Sequence, residues 1–167
     1  RGLNCIIAPC IKKINGKNQN PNIVFYSSIL TWLLDRYYKS DFKPYEVIAH
    51  MFTRIQRDFF AFFLFFSKKK CFNIFSAHGS FIIFTNESLQ KMKPIFNESM
   101  FLYNEEGYLA FKARFYNIPI YYVPSIKITH LEGASTNKNS VISRNENKRS
   151  YIIMRKCFRE SNYESNA

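Results

Sequence analysis

The segment Phe101–Ser135, FLYNEEGYLAFKARFYNIPIYYVPSIKITHLEGAS, decides the fold that this sequence predicts. Two adjacent acids, Glu105 and Glu106, stand where a helix is expected to begin, and a β-rich stretch follows that helix and ends at His130. Carboxylates in the first turn of a helix lie near unpaired backbone N–H groups and the positive end of the helix dipole, so both acids are expected to be ionised. The alternation of helix and strand predicts an α/β fold.

The periodicity of apolar residues predicts further elements on both sides of this segment. Strands are expected over residues 6–14, 72–75 and 80–85, and helices over residues 27–38, from Pro44 onward, and from Asn86 to a point before Pro94. The helix over residues 104–116 is apolar on two sides, which predicts that it is buried. After it we expect two strands, residues 118–123 and 125–129, interrupted by Pro124.

The C-terminal part of the chain is polar and basic. Residues 137–147 predict a mobile loop, and Asn145 is expected to cap a last helix. That helix should bury one stripe formed by Tyr151, Met154 and Phe158. Its basic residues are expected to lie outside the core: Lys148, Arg149, Arg155, Lys156 and Arg159.

The composition describes a folded, basic protein. The chain has 167 residues, of which 47% are hydrophobic, so it can bury a core and is expected to form one domain, residues 1–160, with a frayed tail, residues 161–167. Its net charge of +12 indicates an anionic partner: a nucleotide-sugar phosphate, an anionic lipid or a nucleic acid. The basic residues are spread over several elements and form no nucleic-acid motif, which argues against nucleic acid.

The four cysteines, Cys5, Cys10, Cys71 and Cys157, form no C-x-x-C pair and no cluster with histidine. We therefore expect reduced thiols in a cytosolic protein rather than structural zinc. No signal peptide is visible, and the start at Arg1 predicts that the chain is a piece of something longer.

The helix that follows Pro44 carries a wide apolar stripe, and the basic run Lys68-Lys69-Lys70 comes after it. Its strongly apolar part, residues 59–66, is far shorter than the ~20 residues that a membrane-spanning helix needs. Two interpretations remain. The stripe packs against the core or a second subunit, or the helix lies on an anionic membrane surface.

Several motifs together resemble family 2 of the inverting glycosyltransferases. FLYNEEGYL matches the family's double-acid helix start, and Tyr122-Val123-Pro124, His130 and Gly133-Ala134-Ser135 match its later segment. Residues 4–20 and 75–92 are similar to two further family passages, so the likeness covers most of the chain but is strong from His78 to Ser135. The subgroup that the chain is most similar to is that of bacterial rhamnosyltransferase-like enzymes, which build surface polysaccharides.

The resemblance implies a fold and an activity. The fold would be the C-terminal, acceptor-side part of a GT-A domain, a mixed sheet flanked by helices. The activity would be inverting transfer of a sugar from a nucleotide-sugar donor to a hydroxyl of a glycan or lipid-linked acceptor. The location implied is cytoplasmic, or peripheral on the inner face of the cytoplasmic membrane, and a homo-oligomer stays open.

The resemblance also implies roles for individual residues. Glu106 would be the base and Glu105 would orient the acceptor, while His130 would ligate a divalent metal, Mg²⁺ or Mn²⁺. Acceptor contacts would come from His78, Gly79, Ser80, Tyr103 and Asn104.

The chain departs from the family in ways that bear on these roles. It has no Asp-x-Asp, so most metal ligands and the donor-nucleotide site are expected outside this segment. Gly107-Tyr108 stands where many members carry a further acid, and Glu replaces the commoner Asp at the presumed base. Taken without the resemblance, an acid pair at a helix start is more simply a favourable helix charge with no chemistry. The alternative function is a non-catalytic basic module that binds a membrane surface or nucleic acid.

Overall fold

The computed structural model describes residues 3–100, 103–131 and 141–159, which form an α/β structure around one mixed sheet. The four strands in these residues are β1 (Ile6–Lys13), β2 (Phe72–Ile74), β3 (Ile83–Phe84) and β4 (Ile120–His130). Their order across the sheet is β2-β4-β1-β3. β1 and β4 run parallel, whereas β1–β3 and β2–β4 are antiparallel pairs. The predicted fold class and the mixed sheet are confirmed.

Strand β4 is continuous, so the predicted interruption at Pro124 is wrong. Pro9 pairs with Val123 and Cys10 pairs with Lys127, so residues 124–126 lie in a bulge of β4. A bulge tolerates proline because the residue at that position does not need to donate a ladder hydrogen bond. Beyond the bulge the strands pair again as far as Lys13 and His130, and His130 is therefore held at a strand end.

Five helices lie in the described residues: α1 (Ser28–Ser40), α2 (Lys43–Phe66), α3 (Asn86–Met92), α4 (Glu105–Phe115) and α5 (Val141–Arg159). None of them combines the length and the apolar character that crossing a membrane requires.

Helix α5 starts earlier than the sequence predicts. It begins at Val141, so the predicted loop is wrong over residues 141–147, and residues 137–140 lie outside the described residues. The first turns of α5 form ion pairs with Asp41, next to the end of α1. Lys148 Nζ lies 2.9 Å and Arg144 Nη2 lies 3.6 Å from the Asp41 carboxylate oxygens. These ion pairs form between elements distant in sequence, and a local pattern cannot show them.

Helix α4 is buried on two sides, as predicted. Leu109 and Ala113 pack into the sheet core together with Ile6 and Tyr122. Residues on its other side pack against α5 in a second cluster: Tyr108, Phe111, Tyr151, Met154 and Phe158. Because both faces are enclosed, the start of α4 is a rigid support for the acids that it carries.

A buried ion pair joins α5 to α1. Arg155 is only 7% exposed, so the prediction that it lies outside the core is wrong. Its Nε and Nη2 donate to the two carboxylate oxygens of Asp35 at 2.9 and 3.0 Å, and Tyr151 Oη donates to Oδ1 at 2.8 Å. Burial and the neighbouring Asp35 carboxylate raise the pKa of Tyr151. A paired guanidinium can occupy the core, which the basic sequence around it does not reveal.

Candidate functional site

The predicted base, Glu106, lies at the start of α4 in contact with the loop that precedes β3. The chain enters the helix through Asn104, whose φ of 60° is left-handed. The Gly79 backbone N–H donates to Glu106 Oε1 at 3.2 Å, and the Ser76 hydroxyl donates to the Glu106 carbonyl at 3.3 Å. The structure thus brings the predicted residues Gly79 and Glu106 into direct contact, although they are far apart in sequence.

Glycine at position 79 is what permits this contact. A Cβ at that position would lie 2.8 Å from Glu106 Oε1 and 3.1 Å from its carboxyl carbon. A carbon and an oxygen cannot approach so closely without one of them moving. Gly79 therefore determines where the Glu106 carboxylate sits.

Next to this contact, His78 and His130 come together across the side chain of Gln19. The two rings meet edge to face with their centroids 5.9 Å apart. Gln19 Oε1 lies 2.9 Å from His130 Nδ1, and Gln19 Nε2 lies 3.4 Å from His78 Nε2. The side-chain amide of Gln19 therefore links the two rings, with one of its polar atoms at His130 Nδ1 and the other at His78 Nε2. Glu106, Gly79, His78 and His130 thus form one continuous group.

Sequence reasoning missed two residues of this group, Gln19 and Asn20. Both are buried; the Asn20 amide donates to the Pro9 carbonyl at 2.8 Å and accepts from the His78 backbone N–H at 2.7 Å. Asn20 therefore positions the loop that carries His78, and Gln19 positions both imidazoles. The available signal was the polar run Asn18-Gln19-Asn20 between a strand and Pro21, which looks like an ordinary turn.

Ser80 has a supporting position. Its hydroxyl lies 2.9 Å from His78 Nδ1, and its backbone N–H donates to the same nitrogen at 3.2 Å. Contacts from Ser80, Gln19 and His130 hold the ring of His78, which the resemblance implies is an acceptor contact.

A cavity of about 260 Å³ opens beside Glu106, and three of the predicted site residues line it: Tyr103, Asn104 and Glu106. Five further aromatic rings contribute to its wall: Tyr26, Tyr38, Phe75, Phe111 and Tyr151. Aromatic faces with a few polar groups are typical of a site for a small amphipathic ligand. A larger cavity of about 490 Å³ contains Arg114, but none of the described residues that line it is acidic.

Polar groups of the cavity wall are tied to α5. Asn104 Nδ2 donates to the Asn147 carbonyl at 3.0 Å, and Tyr38 Oη donates to Asn147 Oδ1 at 3.0 Å. The Tyr38 ring stacks on Tyr151 with centroids 4.1 Å apart, and burial raises the pKa of Tyr38 to about 12. Tyr38 is therefore a neutral hydrogen-bond donor at physiological pH and does not act as a base.

Glu105 lies in a different environment from its neighbour Glu106. Burial, and then the charge of the adjacent Glu106, raises the pKa of Glu105. The shift is opposite to the one that the helix start alone would cause, because removal from water and the like charge outweigh the helix dipole. Glu106 lines the cavity, and Glu105 does not.

The residues present fit a metal only in part. Within the described residues, no three His, Cys, Asp or Glu side chains come together to hold a metal ion. His130 fits as one ligand, since Gln19 contacts Nδ1 and leaves Nε2 on the other side of the ring, and a polar partner on the second ring nitrogen is usual for a metal-binding histidine. The predicted segment Gly133-Ala134-Ser135 lies outside the described residues.

Gly79→Ala is expected to displace the Glu106 carboxylate without unfolding the protein. The new Cβ meets the end of a flexible side chain, so the free energy of unfolding should change by less than about 1 kcal/mol. The residue 79 amide should lose its acceptor, and its hydrogen exchange, followed by NMR, should become roughly tenfold faster.

Gly107→Ala is the control for this variant, because its Cβ would crowd the sulfur of buried Met154 at 2.9 Å, so it adds a methyl group beside Glu106 without contacting Gly79. It should leave the exchange of the Gly79 amide unchanged. Equal exchange rates in Gly79→Ala and the wild type would show that the contact between Gly79 and Glu106 does not persist in solution.

Comparison of the chain with protein-family models, with curated proteins and with solved structures finds no match. The function of this chain must therefore be argued from its own residues. Three features of the site bear on the function: the Glu106 carboxylate placed by Gly79, the His78 and His130 imidazoles bridged by Gln19, and the aromatic cavity that Glu106 lines.

Proposed function

We propose that this chain forms the acceptor side of an inverting glycosyltransferase that moves a sugar from a nucleotide-sugar donor to a hydroxyl of a glycan or lipid-linked acceptor. The process we favour is the synthesis of a bacterial surface polysaccharide, by analogy with the rhamnosyltransferase-like enzymes. The observation that carries the proposal is the position of Glu106, which lines the aromatic cavity while its carboxylate accepts from the N–H of Gly79, the residue after His78. The family resemblance of the motifs adds to it.

The chemistry of sugar inversion accounts for this arrangement. An inverting transfer is a single displacement at the anomeric carbon, and it needs a base that takes the proton of the attacking hydroxyl. In our proposal the acceptor occupies the cavity, its hydroxyl faces Glu106, and Glu106 takes the proton. Tyr103 and Asn104 on the cavity wall contact the acceptor, and the Gly79 N–H holds the carboxylate, in a loop that His78 and Ser80 brace through their own contacts.

The cavity size favours the acceptor over the donor as its ligand. At about 260 Å³ it is smaller than the ~300–1,000 Å³ of sites for drug-sized molecules, and so it suits one sugar ring better than a whole nucleotide sugar. The rings on its wall can pack against the apolar C–H face of a sugar, while Asn104 and Glu106 can bind its hydroxyls.

The donor and the divalent metal belong, in our proposal, mainly to residues outside this chain. The metal, Mg²⁺ or Mn²⁺, supplies positive charge to the departing nucleoside diphosphate when it is bound. His130 would contribute Nε2 to it. Gln19 contacts the other ring nitrogen, Nδ1, and so holds the orientation of the ring.

Acceptor binding by the chain tests this proposal without the donor site. Saturation-transfer NMR with octyl glycosides of rhamnose, galactose, glucose and mannose should show contact to the ring protons of at least one sugar. Tyr103→Ala should weaken that binding by roughly fivefold or more, because stacking on an aromatic ring is lost.

Phe115→Ala is the control, since Phe115 is also partly exposed but lies outside the cavity wall. It should leave glycoside binding unchanged. Absence of any glycoside signal, together with tight binding of single-stranded nucleic acid, would favour the basic binding module over the enzyme.

A further inference from the structure

Helix α2 presents an apolar stripe to solvent along most of its length. Six large residues, spaced three or four positions apart, lie on its outer side and are between 49% and 67% exposed: Ile48, Met51, Ile55, Phe59, Phe62 and Phe66. The stripe spans 18 residue steps, or about 27 Å of helix. Continuous exposed apolar surface of this extent marks an interaction site in a folded protein.

The same helix also has an inner face, and the two faces are distinct. Ala49 and Phe60 are buried, and Phe52 and Leu64 are partly buried against the clusters that join α2 to α1 and to the sheet. The outer stripe is therefore not needed to attach α2 to the rest of the protein. The exposure of the stripe excludes its packing into the core of the monomer. Of the surfaces considered above, a second subunit and an anionic membrane remain.

Charge around the stripe is predominantly positive. From Lys43 to Lys70 the sequence holds six lysines and arginines against two acids, Glu46 and Asp58. The exposed run Lys68-Lys69-Lys70 follows the helix directly, at the end where the exposed phenylalanines are concentrated. A basic cluster next to a helical apolar face is the arrangement that binds anionic lipid surfaces.

A groove at the same end of α2 continues the apolar surface toward edge strand β2. Its volume is about 470 Å³, and Lys69 lies on its wall. The other wall residues are mostly aromatic: Phe25, Phe59, Phe60, Phe63, Phe72 and Tyr121. Of these, Phe60 and Phe63 belong to α2 and lie beside the stripe. An apolar groove with an ammonium group on its wall can hold part of an acyl chain and bind an anionic headgroup.

We propose that the outer face of α2 lies on an anionic bilayer, with the phenylalanines among the acyl chains near the surface and Lys68-Lys69-Lys70 on the phosphates. This proposal does not depend on the glycosyltransferase assignment. A second copy of the chain fits the face less well, because two molecules of net charge +12 repel each other. An anionic bilayer attracts the same charge, and the attraction is screened by salt.

Vesicle sedimentation tests the proposal on the 167-residue chain. Vesicles of phosphatidylcholine and phosphatidylglycerol, 7:3, should bind the protein, and vesicles of phosphatidylcholine alone should bind it at least about tenfold more weakly. Changing Lys68, Lys69 and Lys70 to Ser should weaken binding to the anionic vesicles by up to roughly 100-fold, since each lysine near the surface contributes about fivefold. Sodium chloride at 0.5 M should also weaken binding to the anionic vesicles, by a smaller factor.

The double variant Phe62→Gln, Phe66→Gln tests the apolar part, and it should lower binding by roughly tenfold or more. Both rings are more than half exposed, so the fold should survive, which circular dichroism checks. Phe96→Gln with Phe115→Gln is the matched control, because these exposed phenylalanines lie outside α2, and it should bind as the wild type does.

Three results would overturn the proposal. The first is equal sedimentation of the Phe62→Gln, Phe66→Gln variant and the wild type. The second is a wild-type dimer, seen by light scattering, that the Phe62→Gln and Phe66→Gln changes abolish, while neither the wild type nor the variant binds vesicles. That result would assign the face to a second copy of the chain. The third is binding to nucleic acid but not to vesicles.

Discussion

If the proposed function is right, replacing Glu106 by glutamine lowers sugar transfer by roughly 10²–10⁴-fold. Glutamine has nearly the same volume and can still accept the hydrogen bond from Gly79 through its carbonyl oxygen, so the helix start and the adjacent loop should keep their positions. What is lost is the atom that takes the proton from the acceptor hydroxyl. Transfer should be measured with saturating nucleotide sugar and Mn²⁺, with thermal unfolding as the control for folding.

Glu105→Gln is the natural comparison, because it changes the neighbouring acid in the same way. Glu105 does not line the cavity and its pKa is raised, so its replacement should cause a smaller loss than that of Glu106. A Glu106→Gln enzyme within about threefold of the wild-type rate would remove Glu106 from the role of base. If Glu105→Gln were inactive at the same time, the role would pass to Glu105.

The second large effect is expected at the buried pair of Asp35 and Arg155. Asp35→Asn should lower the free energy of unfolding by about 3–5 kcal/mol, because it leaves the buried guanidinium without its counter-charge. Urea unfolding followed by circular dichroism measures the change. Asp58→Asn is the control: its pair with Arg54 is exposed at 3.8 Å, and its loss should cost at most about 1 kcal/mol.

A double variant separates the loss of a pair from the loss of a packed side chain. Asp35→Leu with Arg155→Met removes both charges, and it should recover much of the stability that Asp35→Asn loses. A loss below about 1 kcal/mol in Asp35→Asn would mean that water reaches the Arg155 guanidinium in solution.

Local patterns determined much of the fold. Alternating and helical spacings predicted β1, α1, α4 and the starts of α2 and α3, because each pattern already defines the face that must be buried. The two apolar sides of α4 predicted its burial, which the structure shows to be between the sheet and α5. The burial of Tyr151, Met154 and Phe158 followed from their spacing in α5.

Local patterns failed where a partner distant in sequence decides the outcome. Pro124 looked like a strand break, but pairing with β1 absorbs it in a bulge. Arg155 looked like a solvent-exposed charge, but Asp35 of α1 compensates it inside the core. The early turns of α5 likewise form ion pairs with Asp41, at the end of α1. In each case the energy that decides the structure comes from a contact that the local sequence does not contain.

By itself the sequence determined the α/β class, the acid pair at the start of α4, the histidine at the end of β4, and the excess of positive charge. The tertiary structure alone decided that Glu106 contacts Gly79, that His130 meets His78 across Gln19, and that Glu106 rather than Glu105 lines the aromatic cavity. It also decided that the outer apolar stripe of α2, Ile48 to Phe66, faces solvent. Periodicity identifies which side chains share a face, but only the packing of whole elements determines what that face touches, because burial is a property of the assembled surface.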